Sequence, residues 1–248
     1  MDKAFLETLL AFDRRPDSAR LRMRTYELLK VEPGRRVLDV GSGSGTAVAE
    51  LADAGADAVG VDTAEEAVAF AREHHPGCRF EVADALRLPF PDGSVDGYRA
   101  EKLYHALPDP DAACAEARRV LAPGGRIVLV GQDWDFLAIE SDDPHLTATI
   151  VSASADDIAH GRVARRYRNL LLDTGFTDVL CEVHTAVLTD RELAVFTVTR
   201  LAAGAVRAGA VSDAQAGAWL DEQRARAERD RILVAFPQFV AAGTVRAS

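Results

Sequence analysis

The sequence predicts a doubly wound α/β fold: a seven-stranded, mostly parallel sheet with an antiparallel last strand, preceded by an N-terminal helical lid. Three observations carry this. Between residues 36 and 130, short β-branched runs alternate with amphipathic helical segments, the pattern of a parallel sheet covered on both faces. A glycine-rich turn at 41–45 joins the first run to the first helix of that unit, at the carboxyl edge where such sheets bind ligands. Two further strand-like runs near the C-terminus flank a long helical excursion, as in an edge hairpin.

In chain order, residues 4–30 carry apolar positions at helical spacing (Leu6, Leu9, Leu10, then Leu21, Tyr26, Leu28, Leu29). Arg14-Arg15-Pro16-Asp17 breaks them into two helices, the second capped by Asp17 or Ser18. Pro33-Gly34 opens the core. Strands are expected at Val37–Val40, Ala58–Val61, Arg79–Val82, Val95–Tyr98 and Arg126–Val130, and helices at Ala47–Ala54, Ala64–His74 and Asp111–Leu121. Residues 131–145 read as a loop and a helical stretch then runs to about Asp173. Phe176–Leu188 is a strand, 190–230 two helices parted near Gly209, and Ile232–Val240 a last strand broken by Pro237. One domain over 1–248 is expected: a helical lid 1–33, an α/β core 34–131 and a C-terminal part 132–248 of loop, helices and final strands.

A net charge of −10 argues against a nucleic-acid partner, since phosphate contact needs basic surface. No apolar run reaches the roughly 18–20 residues of a membrane span, and Met1–Phe5 form no basic leader, so no membrane partner and a cytoplasmic location are expected. Cys78, Cys114 and Cys181 lack metal-type spacing and read as packed thiols; no metal site is expected. Monomer and homodimer both suit the chain.

The turn Val37-Leu38-Asp39-Val40-Gly41-Ser42-Gly43-Ser44-Gly45 allows close ligand approach, and the free N–H groups of the next helix face whatever binds there. A dinucleotide fingerprint counted from Gly41 would place its third glycine at Thr46; here it comes one residue early, at Gly45. Asp62, closing the second strand, suits a ribose diol or caps the helix beginning at Thr63. The turn resembles the first motif of the class I methyltransferases that use S-adenosylmethionine, which have a Rossmann-like fold. Ala83-Asp84-Ala85-Leu86-Arg87-Leu88-Pro89-Phe90-Pro91-Asp92-Gly93-Ser94-Val95-Asp96 and Arg119-Val120-Leu121-Ala122-Pro123-Gly124-Gly125-Arg126 resemble the ubiquinone/menaquinone C-methyltransferase-like branch. The resemblance covers residues 35–130. It implies S-adenosylmethionine as cofactor. Asp39, Gly41, Ser42 and Gly43 then lie at its methionine part, Asp62 and Thr63 at the ribose, Asp84 and Ala85 at the adenine, and Arg99 and Ala100 beside the amino-acid tail. Arg99 pairs with the tail carboxylate or is solvated, and Arg20 and Arg24 reach the tail if the lid closes.

Methyl transfer requires alignment and exclusion of water, and a base only where the acceptor must lose a proton. His105, just past the fourth strand, is the candidate base, at a position where similar enzymes carry histidine; the alternative is a packing histidine. The acid those enzymes carry after the fifth strand is replaced by Gly131, leaving Asp133 or Asp135 as its partner. Tyr104, Trp134 and Phe136 are candidate substrate-pocket residues. Arg162, Arg165, Arg166 and Arg168 read as a solvated face paired with acids, or as an anion site. The reading is a methyltransferase acting on oxygen or nitrogen, before carbon, of a small molecule, with bacterial specialised metabolism as its candidate setting. The rivals are a protein of this fold that binds the cofactor without transferring methyl, a protein or RNA methyltransferase, and a nicotinamide dehydrogenase.

Overall fold

The computed structural model describes residues 3–247; Met1 and Asp2, the first residues of the expected lid and leaderless start, lie outside the described residues, as does Ser248. Its elements are α1 (Lys3–Asp13), α2 (Pro16–Leu29), β1 (Arg36–Val40), α3 (Thr46–Asp53), β2 (Asp57–Asp62), α4 (Glu65–His74), β3 (Arg79–Val82), β4 (Val95–Glu101), α5 (Pro110–Val120), β5 (Leu121–Gln132), β6 (Ala138–Ile139), α6 (Pro144–Asp156), α7 (Tyr167–Asp173), β7 (Thr177–Leu188), α8 (Arg191–Arg207), α9 (Asp213–Glu228) and β8 (Val234–Thr244). The sheet order is β3-β2-β1-β4-β5-β8-β6, with β7 also on β8. β1 to β5 are parallel; β8 runs antiparallel to β5, β6 and β7. The expected doubly wound sheet is present, with the two-residue β6 added inside the segment read as a loop.

Both faces are covered, as the valine-rich inner strands require. α2, α3 and α4 pack on one face through Leu29, Val48, Leu51 and Val68 against Val37 and Val128. α5 and α7 pack on the other through Ala113, Ala117, Leu170 and Leu171 against Ile127 and Leu129. α6, α8 and α9 form a cap over the end of β8, centred on Trp219, Leu201 and Phe236. The lid segment therefore divides. α2 belongs to the core layer, while α1 lies on α4 through Leu6, Ala67 and Phe70.

Helix starts follow local chemistry. Asp109, Asp143 and Asp190 cap α5, α6 and α8 by accepting backbone N–H bonds, and Ser212 with Gln215 forms a capping box on α9. The expected cap on the second helix is corrected: Pro16 sits in its first turn and Arg15, with no side-chain cap, precedes it. β8 is also unbroken at Pro237. That residue pairs with Thr185 of β7 beyond the last β5 partner, Gln238, so that flank carries no β5 ladder bond for a proline to break.

Candidate functional site

The glycine turn is held from below by β2: the Gly41 and Ser42 amides both donate to the Val61 carbonyl, at 2.8 and 3.0 Å. Gly41, Gly43 and Gly45 all have positive φ, at 74°, 47° and 81°. They serve different ends. A Cβ on Gly45 would lie 2.7 Å from Phe80 and 2.9 Å from Ala71, so this glycine lets α3 pack on its neighbours. A Cβ on Gly43 would meet Leu9 Cδ1 of α1 at 3.9 Å and the Gly41 carbonyl at 4.0 Å, ordinary contact without a clash, so the turn has room there beneath α1. Ser42 Oγ is buried beside it without a partner.

Asp62 ties this turn to the next helix by accepting from Gly43 N–H (3.2 Å) and Ala64 N–H (3.0 Å). The helix starts at Glu65 rather than Thr63, and Thr63 is exposed. Asp84 is exposed and accepts the Leu86 N–H at 2.9 Å, while Ala85 is buried. From the N-terminal side, Asp13 bonds Ser44 Oγ at 2.5 Å, and Arg22 joins the Asp13 carbonyl to Glu50 of α3. Residues of α1 thus roof the turn.

At the end of β4 the structure corrects the expectation for Arg99. It is neither solvated nor turned toward the glycine turn. With 2% of its side chain exposed, its guanidinium donates to Thr25 Oγ1 (2.9 Å), Asp39 Oδ1 (2.7 Å) and Glu101. Asp39 is correspondingly buried in this ion pair, and Ala100 is buried next to it. Burial opposes ionisation of Glu101, but Lys102 and Arg99 hold its carboxyl at about 2. Lys102 takes a left-handed φ of 55° and places Nζ 3.0 Å from Glu101. Arg24 points to Glu182 of β7 and Glu27, not to the turn, and Arg20 is exposed.

His105 lies on a single helical turn after β4. Its Nδ1 is buried and unpartnered, and its ring meets Trp134 edge-on at 5.7 Å. Burial, then the charge of Lys102, pushes its imidazole down to about 4. The expected pairing of this histidine with an acid is corrected. Asp133 is fully buried but is bound by Arg165 (2.7 Å at Nη2) and by the Asp135 N–H, and Asp135 by Arg162 at 2.9 Å. Tyr104 is likewise a core residue, 1% exposed against Tyr98 and Tyr167. Trp134 is half-buried with an unpartnered Nε1, and Phe136 is exposed. Two polar residues that the sequence reading did not single out, Gln132 and Gln238, sit opposite each other across β5 and β8. Among the described residues, no group of three or more histidines, cysteines and acids could hold a metal, and no helix is long and apolar enough to cross a membrane.

Against this geometry, a family profile described as a methyltransferase domain matches residues 38–129. A demethylmenaquinone methyltransferase of Paenarthrobacter aurescens is 30% identical over 175 residues, covering 64% of this chain and 69% of the relative. A 27-O-demethylrifamycin SV methyltransferase of Amycolatopsis mediterranei is 35% identical over 131 residues, covering 50% and 47%. Among solved structures, the YcgJ protein of Bacillus subtilis is similar in fold, with a TM-score of 0.63 at 18% identity over 92% of this chain and 98% of that one. The chain spans about half the length of several curated relatives that it matches, 45% to 50% in three of them.

Proposed function

Because the chain belongs to the class I S-adenosylmethionine-dependent methyltransferases of the ubiquinone/menaquinone type, we propose that it methylates an oxygen or nitrogen atom of a small molecule. Its cofactor is S-adenosylmethionine, which supplies an electrophilic methyl group on a sulfonium when bound. The observation that carries the reading is the turn itself: Ser42 Oγ is buried without a partner, and at Gly43 a Cβ would meet Leu9 Cδ1 of α1 no closer than 3.9 Å, so a donor and room for close approach remain beneath α1. Asp62 would hold the ribose diol with Thr63 beside it, Asp84 and Ala85 the adenine, and the turn Gly41-Ser42-Gly43, whose amides are spent on Val61 and Asp62, would face the amino-acid tail with its carbonyls, beside Ala100. Asp39 and Arg99 act behind that surface, fixing the ends of β1 and β4.

On the acceptor side, Trp134 and Phe136 supply apolar surface, and α1 shields the turn from water. His105 offers a buried, unpartnered Nδ1 that stays uncharged; burial makes it a weak proton acceptor, so its part is a hydrogen bond to an acceptor hydroxyl or amine, or receipt of that group's proton, and this contact favours oxygen or nitrogen over carbon. His105 acts without a carboxylate partner, since Asp133 is held by Arg165. The relative named for 27-O-demethylrifamycin SV supports an oxygen acceptor and a role in specialised metabolism. The enzyme is read as cytoplasmic, and as a monomer or homodimer without nucleic-acid or membrane partners.

Titration calorimetry with S-adenosylhomocysteine and incubation of methyl-labelled cofactor with bacterial extract test the proposal together. Micromolar binding with label entering a small-molecule fraction is expected. Binding with no label transferred would leave a cofactor-binding protein without methyl transfer, and no binding would remove the reading.

A further inference from the structure

We propose that Gln132 and Gln238 form a paired-amide subsite that recognises a neutral, hydroxylated ring of the methyl acceptor; this rests on the methyltransferase reading above. The two residues are register partners in the antiparallel β5–β8 ladder, so their side chains share one face. They are 8% and 7% exposed, and the Oε1 of each is buried without a hydrogen-bond partner. A buried, unsatisfied acceptor is a net loss for the fold unless something supplies the missing donor. Turning either amide over would exchange an unpartnered acceptor for an unpartnered donor and would not remove the deficit.

The surroundings locate the ligand. On the same face the next residues along the strands are apolar: Val130 and Val240 belong to the core under α2, and Phe236 belongs to the cap cluster. Aliphatic side chains would fit the trend of both strands, yet two amides stand where the core gives way to the cap. That place is the carboxyl end of β5, the edge on which ligands of such sheets bind. Trp134, two residues past Gln132, packs into the same cap cluster and has a buried, unpartnered Nε1 of its own, and the ring it meets, His105, has an unpartnered Nδ1.

The chemistry follows from the groups. Amides donate and accept, as hydroxyls do, so a pair of them matches a hydroxyl pair. Neither amide is bonded to a charged residue; on β7 the register partner of Gln238, His184, is bonded to Glu182, which also holds Arg24, and on β4 Glu101 is paired with Lys102, so the charges flanking the two amides already have partners, which favours a neutral ligand. Phe236 and Trp134 supply the flat apolar surface that a ring requires.

The chain has only four glutamines, at 132, 215, 223 and 238, so protein labelled with ¹⁵N-glutamine gives four side-chain amide pairs. Gln132→Leu and Gln238→Leu assign the two of interest, with Gln132→Met and Gln238→Met as alternatives if the leucine variants do not fold. With S-adenosylhomocysteine bound, titration with catechol (benzene-1,2-diol) should shift the Gln132 and Gln238 amides saturably and leave Gln215, in its exposed capping box, unmoved. The variants should bind S-adenosylhomocysteine as the wild type does, unfold at no lower temperature, and bind catechol about tenfold more weakly. Cofactor-product binding with no response of either amide to catechol would overturn the proposal, as would variants that unfold well below the wild type, because the amides would then be structural. A wild type that does not bind S-adenosylhomocysteine would instead overturn the functional reading beneath it.

Discussion

Asp39 on β1 and Arg99 on β4 are register partners, and their side chains close a buried ion pair, Nη1 to Oδ1, at 2.7 Å. Thr25 of α2 and Glu101 hold the rest of the guanidinium, so one side chain joins three elements beneath the glycine turn. Removing one partner of such a pair leaves a charge buried without compensation, whereas removing both does not. Arg99→Met should therefore cost about 3–5 kcal/mol in urea unfolding, and adding Asp39→Asn should restore part of the loss. A cost below about 1 kcal/mol for the single variant would show that the pair contributes little.

That pair also shows where sequence reading stopped. An arginine at the end of a strand suggests solvent or a ligand, and its true partner emerges only once β4 is seen to lie beside β1, which it does not follow in the chain. The tight conformation of the glycine turn and the place of Asp62 at the end of β2 are legible in the sequence because they are local, confined to a strand end and the residues just after it. The same holds for the alternating strands and helices of residues 36–130. Tyr104 and Asp133 were misplaced because their neighbours, Tyr167 and Arg165, come from a separate segment after α6. Gln238 was obscured by Pro237, whose strand-breaking tendency has no effect where β5 has already ended.

Gly43 and Gly45 should separate binding from stability. Both have left-handed φ, so alanine at either costs about 1–2 kcal/mol of backbone strain. At Gly45 the new methyl also meets Phe80 and Ala71 inside 3.0 Å, raising the loss to about 2–4 kcal/mol. At Gly43 it clashes with nothing, meeting Leu9 Cδ1 only at 3.9 Å, so the added loss should appear in S-adenosylhomocysteine affinity instead. Chemical denaturation and calorimetry on both variants check this. Equal stability losses, or an unchanged affinity in Gly43→Ala, would contradict it.

The roof over the turn should be separable too. Ser44 Oγ meets Asp13 Oδ2 at 2.5 Å, where α1 ends. Ser44→Ala removes this charge-assisted bond and should cost about 1–2 kcal/mol. Much of that should appear as local opening of α1. Amide hydrogen exchange at residues 6–12 is expected to speed up about tenfold or more, with strands β1 and β4 unchanged. Uniform acceleration across the sheet would mean that α1 does not open as a unit.

His105 gives the pH dependence a definite sign. Burial and the nearby Lys102 charge place its folded pKa at about 4, below the ordinary 6.5. The unfolded chain therefore binds this proton more readily, so stability is fully present above 6.5 and declines as pH falls from 6.5 toward 4. Glu101, held at about 2 against an ordinary 4.5, loses its contribution only in the lower window between those values. His105→Phe should flatten the stability profile between pH 4.5 and 6.5 and leave the lower window intact, as read by urea unfolding at closely spaced pH. If Nδ1 also takes the acceptor's proton, kcat/KM for an identified acceptor should be level from pH 5.5 to 8 with its acidic limb near 4, because the free imidazole stays neutral throughout. A limb centred near 6.5 would place His105 in water rather than in the buried setting that keeps it uncharged.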